Sequence, residues 1–198
     1  MNQSHQTSDV PWALLDGTRL QVRPLGAGDR NGLAALFTRL SPRSRYRRFL
    51  SPKPELALRE LVYLTEIDHV LHEALAAIDV RDGSIVGVAR YVNAVGRAGV
   101  AEFAVEVADE LQAMGIGTTL GALVIQRART NGFTRLIALT LWENQPGRAL
   151  LRGLGFHAKA SHGYEIEYEL DLRPVLGAPW AGDRPTHSIG GERPQEAP

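Results

Sequence analysis

The six residues Gln112-Ala113-Met114-Gly115-Ile116-Gly117 stand between two regular elements, and that order constrains the chain more than any other feature. Before them runs a β-branched stretch ending at Val107. After them Ile116, Leu120, Leu123, Val124 and Ala128 repeat at helical spacing, with Asn131-Gly132 as a stop signal. A strand, a short polar loop, a Gly-x-Gly turn and a helix leave unpaired N–H groups and the positive end of a helix dipole facing the turn. Glycines let a ligand approach that backbone closely, so the segment is expected to hold an anion. Spacing narrows the choice of anion. No lysine follows the glycines, which argues against a P-loop. A dinucleotide fold places G-x-G-x-x-G directly after a strand, whereas here Leu120 takes the last glycine position and Asp109 to Met114 intervene after Val107.

Composition excludes several other classes. The chain has 198 residues, 44% hydrophobic and 22% charged, enough for one buried core with tails. Lys+Arg and Asp+Glu each total 22, so there is no overall attraction to nucleic acid or anionic lipid, and anion binding must be local. The absence of cysteine removes disulfides, thiolate metal sites and a cysteine nucleophile. His69 and His72 are closely spaced, but no acidic or cysteine partner completes a metal set; they read as surface or core histidines, as do His157 and His162. Met1 to Asp9 lacks a basic patch before an apolar core, and no apolar run approaches the ~18 residues of a membrane span. The expected location is the cytoplasm.

Along the chain, residues 1–16 read as a flexible arm, 17–173 as one domain, and 174–198 as a disordered tail rich in proline and glycine. Thr18 to Arg23 alternates like a first strand. Leu33, Leu36, Phe37 and Leu40 mark a helix from Asp29, its expected N-cap. Ser41-Pro42 opens a short arginine-rich helix through Phe49, and a third helix is expected over Glu55 to Thr65. Leu71 to Val80, Ile85 to Val92 and Glu102 to Val107 read as antiparallel strands, with Arg81-Asp82-Gly83 as a turn. Leu136 to Leu141 is apolar on both faces, as in a strand covered on each side. Asn144 is expected to cap a helix carrying Pro146 and ending at Gly155. A final strand is read where Tyr164, Ile166, Tyr168 and Leu170 alternate with acidic residues, closing the sheet. The fold class is therefore mixed α/β (α+β).

The segment Gln112-Ala113-Met114-Gly115-Ile116-Gly117, with Val105-Glu106-Val107 before it, resembles motif A of the GNAT acetyltransferases. Asn144 and Leu154-Gly155-Phe156 resemble motif B of that family. The resemblance covers about residues 17–173. It implies a mostly antiparallel central sheet with helices on both faces, splayed between the strand before the glycine turn and the next strand. It further implies acetyl-coenzyme A (CoA) as cosubstrate, with Gln112, Gly115, Ile116, Gly117 and Thr118 at its pyrophosphate, Val105 and Val107 along its pantetheine arm, and Asn144 at the site. Leu40-Ser41-Pro42-Arg43-Ser44-Arg45-Tyr46-Arg47-Arg48-Phe49 resembles a segment of bacterial Pat-type protein-lysine acetyltransferases, which implies a protein lysine as acceptor. A solvated helix with Tyr46 and Phe49 packed inward explains that segment equally well.

A lysine amine with a pKa of about 10.4 must lose a proton before it attacks, which costs roughly 4 to 5 kcal/mol at neutral pH. A carboxylate base is therefore useful. Glu102 and Glu106 share one face of their strand by alternation, and either is a candidate. Glu102 is preferred because an Ala-Glu pair opening this strand resembles the Pat-type base position. Many GNAT enzymes carry a tyrosine five residues before the motif B phenylalanine to protonate the leaving thiolate; Leu151 stands there in this chain. The competing functions are a small-amine acetyltransferase and a catalytically weak CoA-binding sensor. Trp142 reads as core packing or as a wall of the acceptor path. Acceptor and oligomeric state stay open at this level.

Overall fold

The computed structural model describes residues 11–13 and 19–173. The expected tail over 174–198 and most of the expected arm over 1–16 lie outside them. Eight strands and five helices are described: β1 (Pro11–Ala13), β2 (Arg19–Pro24), α1 (Arg30–Thr38), α2 (Pro42–Phe49), α3 (Leu58–Thr65), β3 (His72–Asp79), β4 (Ile85–Asn93), β5 (Val100–Val107), α4 (Ile116–Thr130), β6 (Arg135–Leu141), α5 (Gln145–Gly153), β7 (His157–His162) and β8 (Glu165–Asp171). They form one sheet in the order β1-β2-β3-β4-β5-β6-β8-β7, in which only β5 and β6 run parallel. The expected mixed, mostly antiparallel sheet is therefore present.

Alternation along the strands sends side chains to two cores. On one face Val86, Ala89, Tyr91, Ala101 and Phe103 pack with Ile116, Leu120, Val124 and Ala128 of α4 and Leu151 of α5. Each such leucine or valine contributes about 1.5 to 3 kcal/mol by leaving water. Gly121 permits the close approach of α4: a Cβ there would stand 2.6 Å from Leu154 Cδ1 and 3.4 Å from Phe103 Cζ. On the other face Ala74, Ala76, Ile78 and Val88 meet Leu33 and Leu36 of α1 and Leu64 of α3. The chain's two lysines both sit in ion pairs, Lys53 with Glu60 and Lys159 with Glu169.

Several expectations change. Residues 11–13, placed in a loose arm, form an edge strand against Arg19–Gln21. The final strand does not close the sheet: β8 lies between β6 and β7, and β7 forms the edge. β7 (His157–His162) escaped notice because its residues are nearly all exposed, which leaves no apolar alternation to detect. Asp29 does not cap α1 with its side chain. It accepts instead from Gly26 N at 2.9 Å and takes two bonds of 2.7 Å from the Arg23 guanidinium, pinning the turn before α1 to β2. The third helix begins at Leu58, not Glu55, because Glu60 reaches back to Ala57 N at 2.9 Å. Among the described residues no helix is long and apolar enough to cross a membrane.

Candidate active site

The parallel pairing of β5 and β6 covers only Val100 to Glu102 against Arg135 to Ile137. Beyond it the strands part, so Leu139, expected beneath a cover, is 53% exposed. Ala108 N donates to Val86 O and Val100 O accepts from Ala94 N, so the even-numbered residues of β5 bond to β4. The odd-numbered ones, including Val105 and Val107, turn their backbone groups into the gap. A cleft of about 640 Å³ opens there, bordered by Val105, Glu106, Val107, Gln112, Gly115, Gly117, Thr118 and Asn144. That volume suits a cofactor-sized ligand. Ile116 does not border the cleft; its side chain is buried in the core, and only its amide stands at the helix mouth.

The glycine turn contains two left-handed residues, Ala113 (φ 62°) and Gly115 (φ 87°). Gly115 relieves the strain that a side chain would meet at such an angle. Thr119 N donates to Gly115 O at 3.0 Å, so the amides of Ile116, Gly117 and Thr118 lie in the first turn, where no helical carbonyl is available to them. These donors and the dipole behind them fit the pyrophosphate of CoA. Gly117 serves packing as well, because a Cβ there would lie 3.3 Å from Leu150 Cδ2 of α5. Gln112 turns its side-chain amide inward, donating to Val107 O at 3.1 Å and Asp109 Oδ1 at 2.9 Å. It braces the turn. Asn144 caps α5, its Oδ1 accepting from Gly147 N at 3.2 Å while its Nδ2 donates to Thr140 Oγ1 at 3.1 Å. Gly147 must be small for this, since a Cβ there would stand 2.4 Å from Asn144 Nδ2.

The two candidate carboxylates occupy different surroundings. Glu102 is exposed at the apex of the gap, beside Val92 on β4 and Ile137 on β6, and makes no ion pair among the described residues. Glu106 is 9% exposed, and its Oε2 lies 2.9 Å from Arg48 Nε of α2, too bent for a hydrogen bond but close for an ion pair. Arg90, on β4 and 2% exposed, adds a second guanidinium charge to the neighbourhood of Glu106. Burial lowers the Arg90 pKa to about 10, against the pull of Glu106. Arg90 Nη1 donates to Leu64 O at 3.0 Å and approaches His72 Nε2 at 3.2 Å. Burial first, then the Arg90 charge, pushes His72 down to about 4, so its ring is neutral and accepts from the guanidinium.

Arg47 and Arg48 belong to the arginine-rich segment compared above with Pat-type enzymes, but neither was given a place beside the candidate carboxylates, and Arg90 was not singled out from the sequence. Arg90 shares a strand phase with buried Val88, and a charged residue at an inward position is a signal. For α2 the solvated-helix reading holds in part. Arg45 packs over Phe37 at 4.5 Å, but Arg47 and Arg48 turn into the cleft, and Tyr46, expected to pack inward, is 42% exposed. Ser41 and Asp109 fix this orientation: Ser41 Oγ caps α2 through Ser44 N, and Ser41 N donates to Asp109 Oδ2 at 3.1 Å. Trp142, expected in the core, is 62% exposed under the Arg148 guanidinium, 4.3 Å from its carbon to the ring centre.

A sheet that opens beside a glycine turn at a helix mouth, with a CoA-sized cleft running between, defines an acyltransferase. The chain belongs to the Acetyltransferase (GNAT) family, whose profile matches residues 41–156. It is 35% identical over 146 residues to an acetyltransferase of Pseudomonas aeruginosa, covering 73% of this chain and 78% of that protein. The GNAT domain of PAT from S. lividans superposes with a TM-score of 0.75 at 28% identity, over 82% of this chain and 96% of that one. A structure from Salmonella typhimurium solved with acetyl-CoA shares the fold, at 18% identity and a TM-score of 0.65, over 82% of this chain and 98% of that one. The protein is an acyltransferase of that family.

Proposed function

We propose that the enzyme transfers acetyl from acetyl-CoA to the side-chain amine of a protein lysine, directly within a ternary complex, with Glu102 as base. The observation that carries this reading is the contrast on β5: Glu106 is buried against a guanidinium, whereas Glu102 is exposed and unpaired at the apex of the gap. Glu102 borders neither the cleft nor its extension; it stands two residues, about 7 Å of strand, before Ala104, which does, so in this reading the proton reaches it through bridging water. The amine nitrogen forms its bond to the thioester carbon, the C–S bond breaks with its electrons passing to sulfur, and the proton from nitrogen goes to Glu102. Backbone N–H groups of Val105 and Val107 are placed to polarise the thioester carbonyl. Leu151 is buried beside the gap and has no proton to give the sulfur, but a thiol with a pKa of about 8.5 is a workable leaving group near neutral pH. The acceptor reading is supported by the Leu40 to Phe49 segment and by the likeness to the PAT domain.

The test is mass spectrometry of lysine-bearing proteins and small amines incubated with acetyl-CoA. Acetylated lysines that fall at least about tenfold with Glu102→Gln, while CoA affinity holds, are the expected result. Modification confined to small amines overturns the acceptor. Unchanged turnover of Glu102→Gln at every pH overturns the base. The buried Leu151 favours one rival, a weakly catalytic CoA sensor, which binds the cosubstrate and modifies nothing in the panel.

A further inference from the structure

Where β5 and β6 separate, a smaller void of about 80 Å³ continues the cleft between Val105 on one strand and Ala138 to Thr140 on the other. Its polar wall is made by Arg47 and Arg48 of α2, whose side chains are only 18% and 16% exposed. The Nε atoms of both are buried without a hydrogen-bond partner. Few carboxylates are near enough to answer them. Glu106 is shared between Arg48, at 2.9 Å, and the buried charge of Arg90. Glu143, the partner nearest Arg47, is 58% exposed and stands at 3.8 Å, beyond hydrogen-bond range. Two guanidiniums, those of Arg48 and Arg90, thus share one buried carboxylate, and Arg47 stands on the wall of the void with only a distant, exposed one. An acetyl methyl offers them nothing, and desolvated donors left unmatched are costly.

We infer that this end of the cleft takes acyl groups that terminate in a carboxylate, so that the enzyme accepts CoA thioesters of the succinyl class as well as acetyl-CoA. The inference rests on the reading of the cleft as the donor site. Two further C–C bonds of about 1.5 Å carry a terminal carboxylate from the position of the acetyl methyl toward the void. There it meets a planar guanidinium, whose paired N–H groups match both its oxygens. The bond changes are those of acetyl transfer: N–C forms, C–S breaks with its electrons going to sulfur, the nitrogen proton passes to the base, and the distal carboxylate is unchanged. The product is an amide that bears a negative charge.

Calorimetric titration of succinyl-CoA, butyryl-CoA and free CoA isolates the terminal group, because the two acyl chains have equal carbon counts and differ in charge. Succinyl-CoA is expected to bind at least about tenfold more tightly than butyryl-CoA, the effect of one charge-assisted bond. Arg47→Met is expected to bring that ratio close to one, and Arg48→Met to lower it. Since each variant is read as a ratio within one protein, general damage to the fold cancels. Equal affinities for the two thioesters, with free CoA still bound, overturn the inference alone. Failure of free CoA to bind overturns it together with the donor-site reading. Equal weakening of all three ligands by Arg47→Met overturns it by assigning the arginines to the phosphates, and a ratio unmoved in both variants overturns it as well. Mass spectrometry of the acceptor with succinyl-CoA should then show the succinyl amide.

Discussion

Glu106→Gln tests the proposed division between a structural carboxylate, Glu106, and a base, Glu102. The substitution keeps the shape but removes the negative charge that lies 2.9 Å from Arg48 and beside Arg90, and turns one acceptor oxygen into a donor. Removing one partner from a buried pair costs about 3 to 5 kcal/mol, because the other charge is left in a medium that solvates it poorly. The side chains of Arg48 and Glu106 retain 16% and 7% exposure, so some water reaches the pair and the lower end, about 3 kcal/mol, applies. In a domain of this size each kcal/mol moves the melting temperature by about 2 to 4 °C, so Glu106→Gln should melt roughly 6 to 12 °C below the parent. Exposed Glu102 has no such partner, and Glu102→Gln should melt within about 1 to 2 °C of the parent. Thermal melts followed by circular dichroism, run beside initial rates of acetyl transfer, give both columns of the comparison. A melt of Glu106→Gln within 2 °C of the parent, combined with a large loss of rate, would refute the division of labour between the two carboxylates.

Other outcomes follow from single contacts. His72 has a folded pKa of about 4 against an ordinary value of 6.5, so the unfolded chain takes up a proton that the fold refuses; stability falls as pH drops from 6.5 to 4, by up to about 3 kcal/mol. Urea melts across that window should show the loss in the parent and a flatter profile in His72→Gln; parallel profiles would count against the assignment. Asn144→Ala removes the cap on Gly147 N and should cost about 1 kcal/mol, a fall of roughly 2 to 4 °C in melting temperature. Gly117→Val places methyls against Leu150 and into the helix mouth, so the dissociation constant for CoA should rise at least about tenfold, and an unaltered constant would refute the loop assignment.

The sequence was most legible where local chemistry decides structure. The glycine turn, α4 and its stop at Asn131-Gly132, α2 behind Ser41-Pro42, and α5 behind Asn144 all carry their signals within a few residues. It was least legible where partners lie far apart. Asp29 had the look of a cap until Arg23 and Gly26 claimed its oxygens. The Arg48, Glu106 and Arg90 cluster is assembled from α2, β5 and β4, and no local spacing announces it. β7 is held in the sheet by backbone bonds to β8 and the Lys159–Glu169 ion pair, since its side chains bury almost nothing. Of the two candidate carboxylates, alternation showed that they share a face but was blind to the guanidinium that sets their surroundings apart.

The pairing of both lysines with glutamates acquires a meaning beside a bound thioester. Activated acyl groups react without help with any free, unprotonated amine nearby, and each such event erases a positive charge. This chain has 22 Lys and Arg residues in all, and only Lys53 and Lys159 are lysines, each in an ion pair. The rest are guanidiniums, which stay protonated near neutral pH and offer no nucleophilic lone pair. The protein can thus spend its working life next to a chemically aggressive reagent and keep its own charge pattern, including the arginines that line the cleft, unaltered.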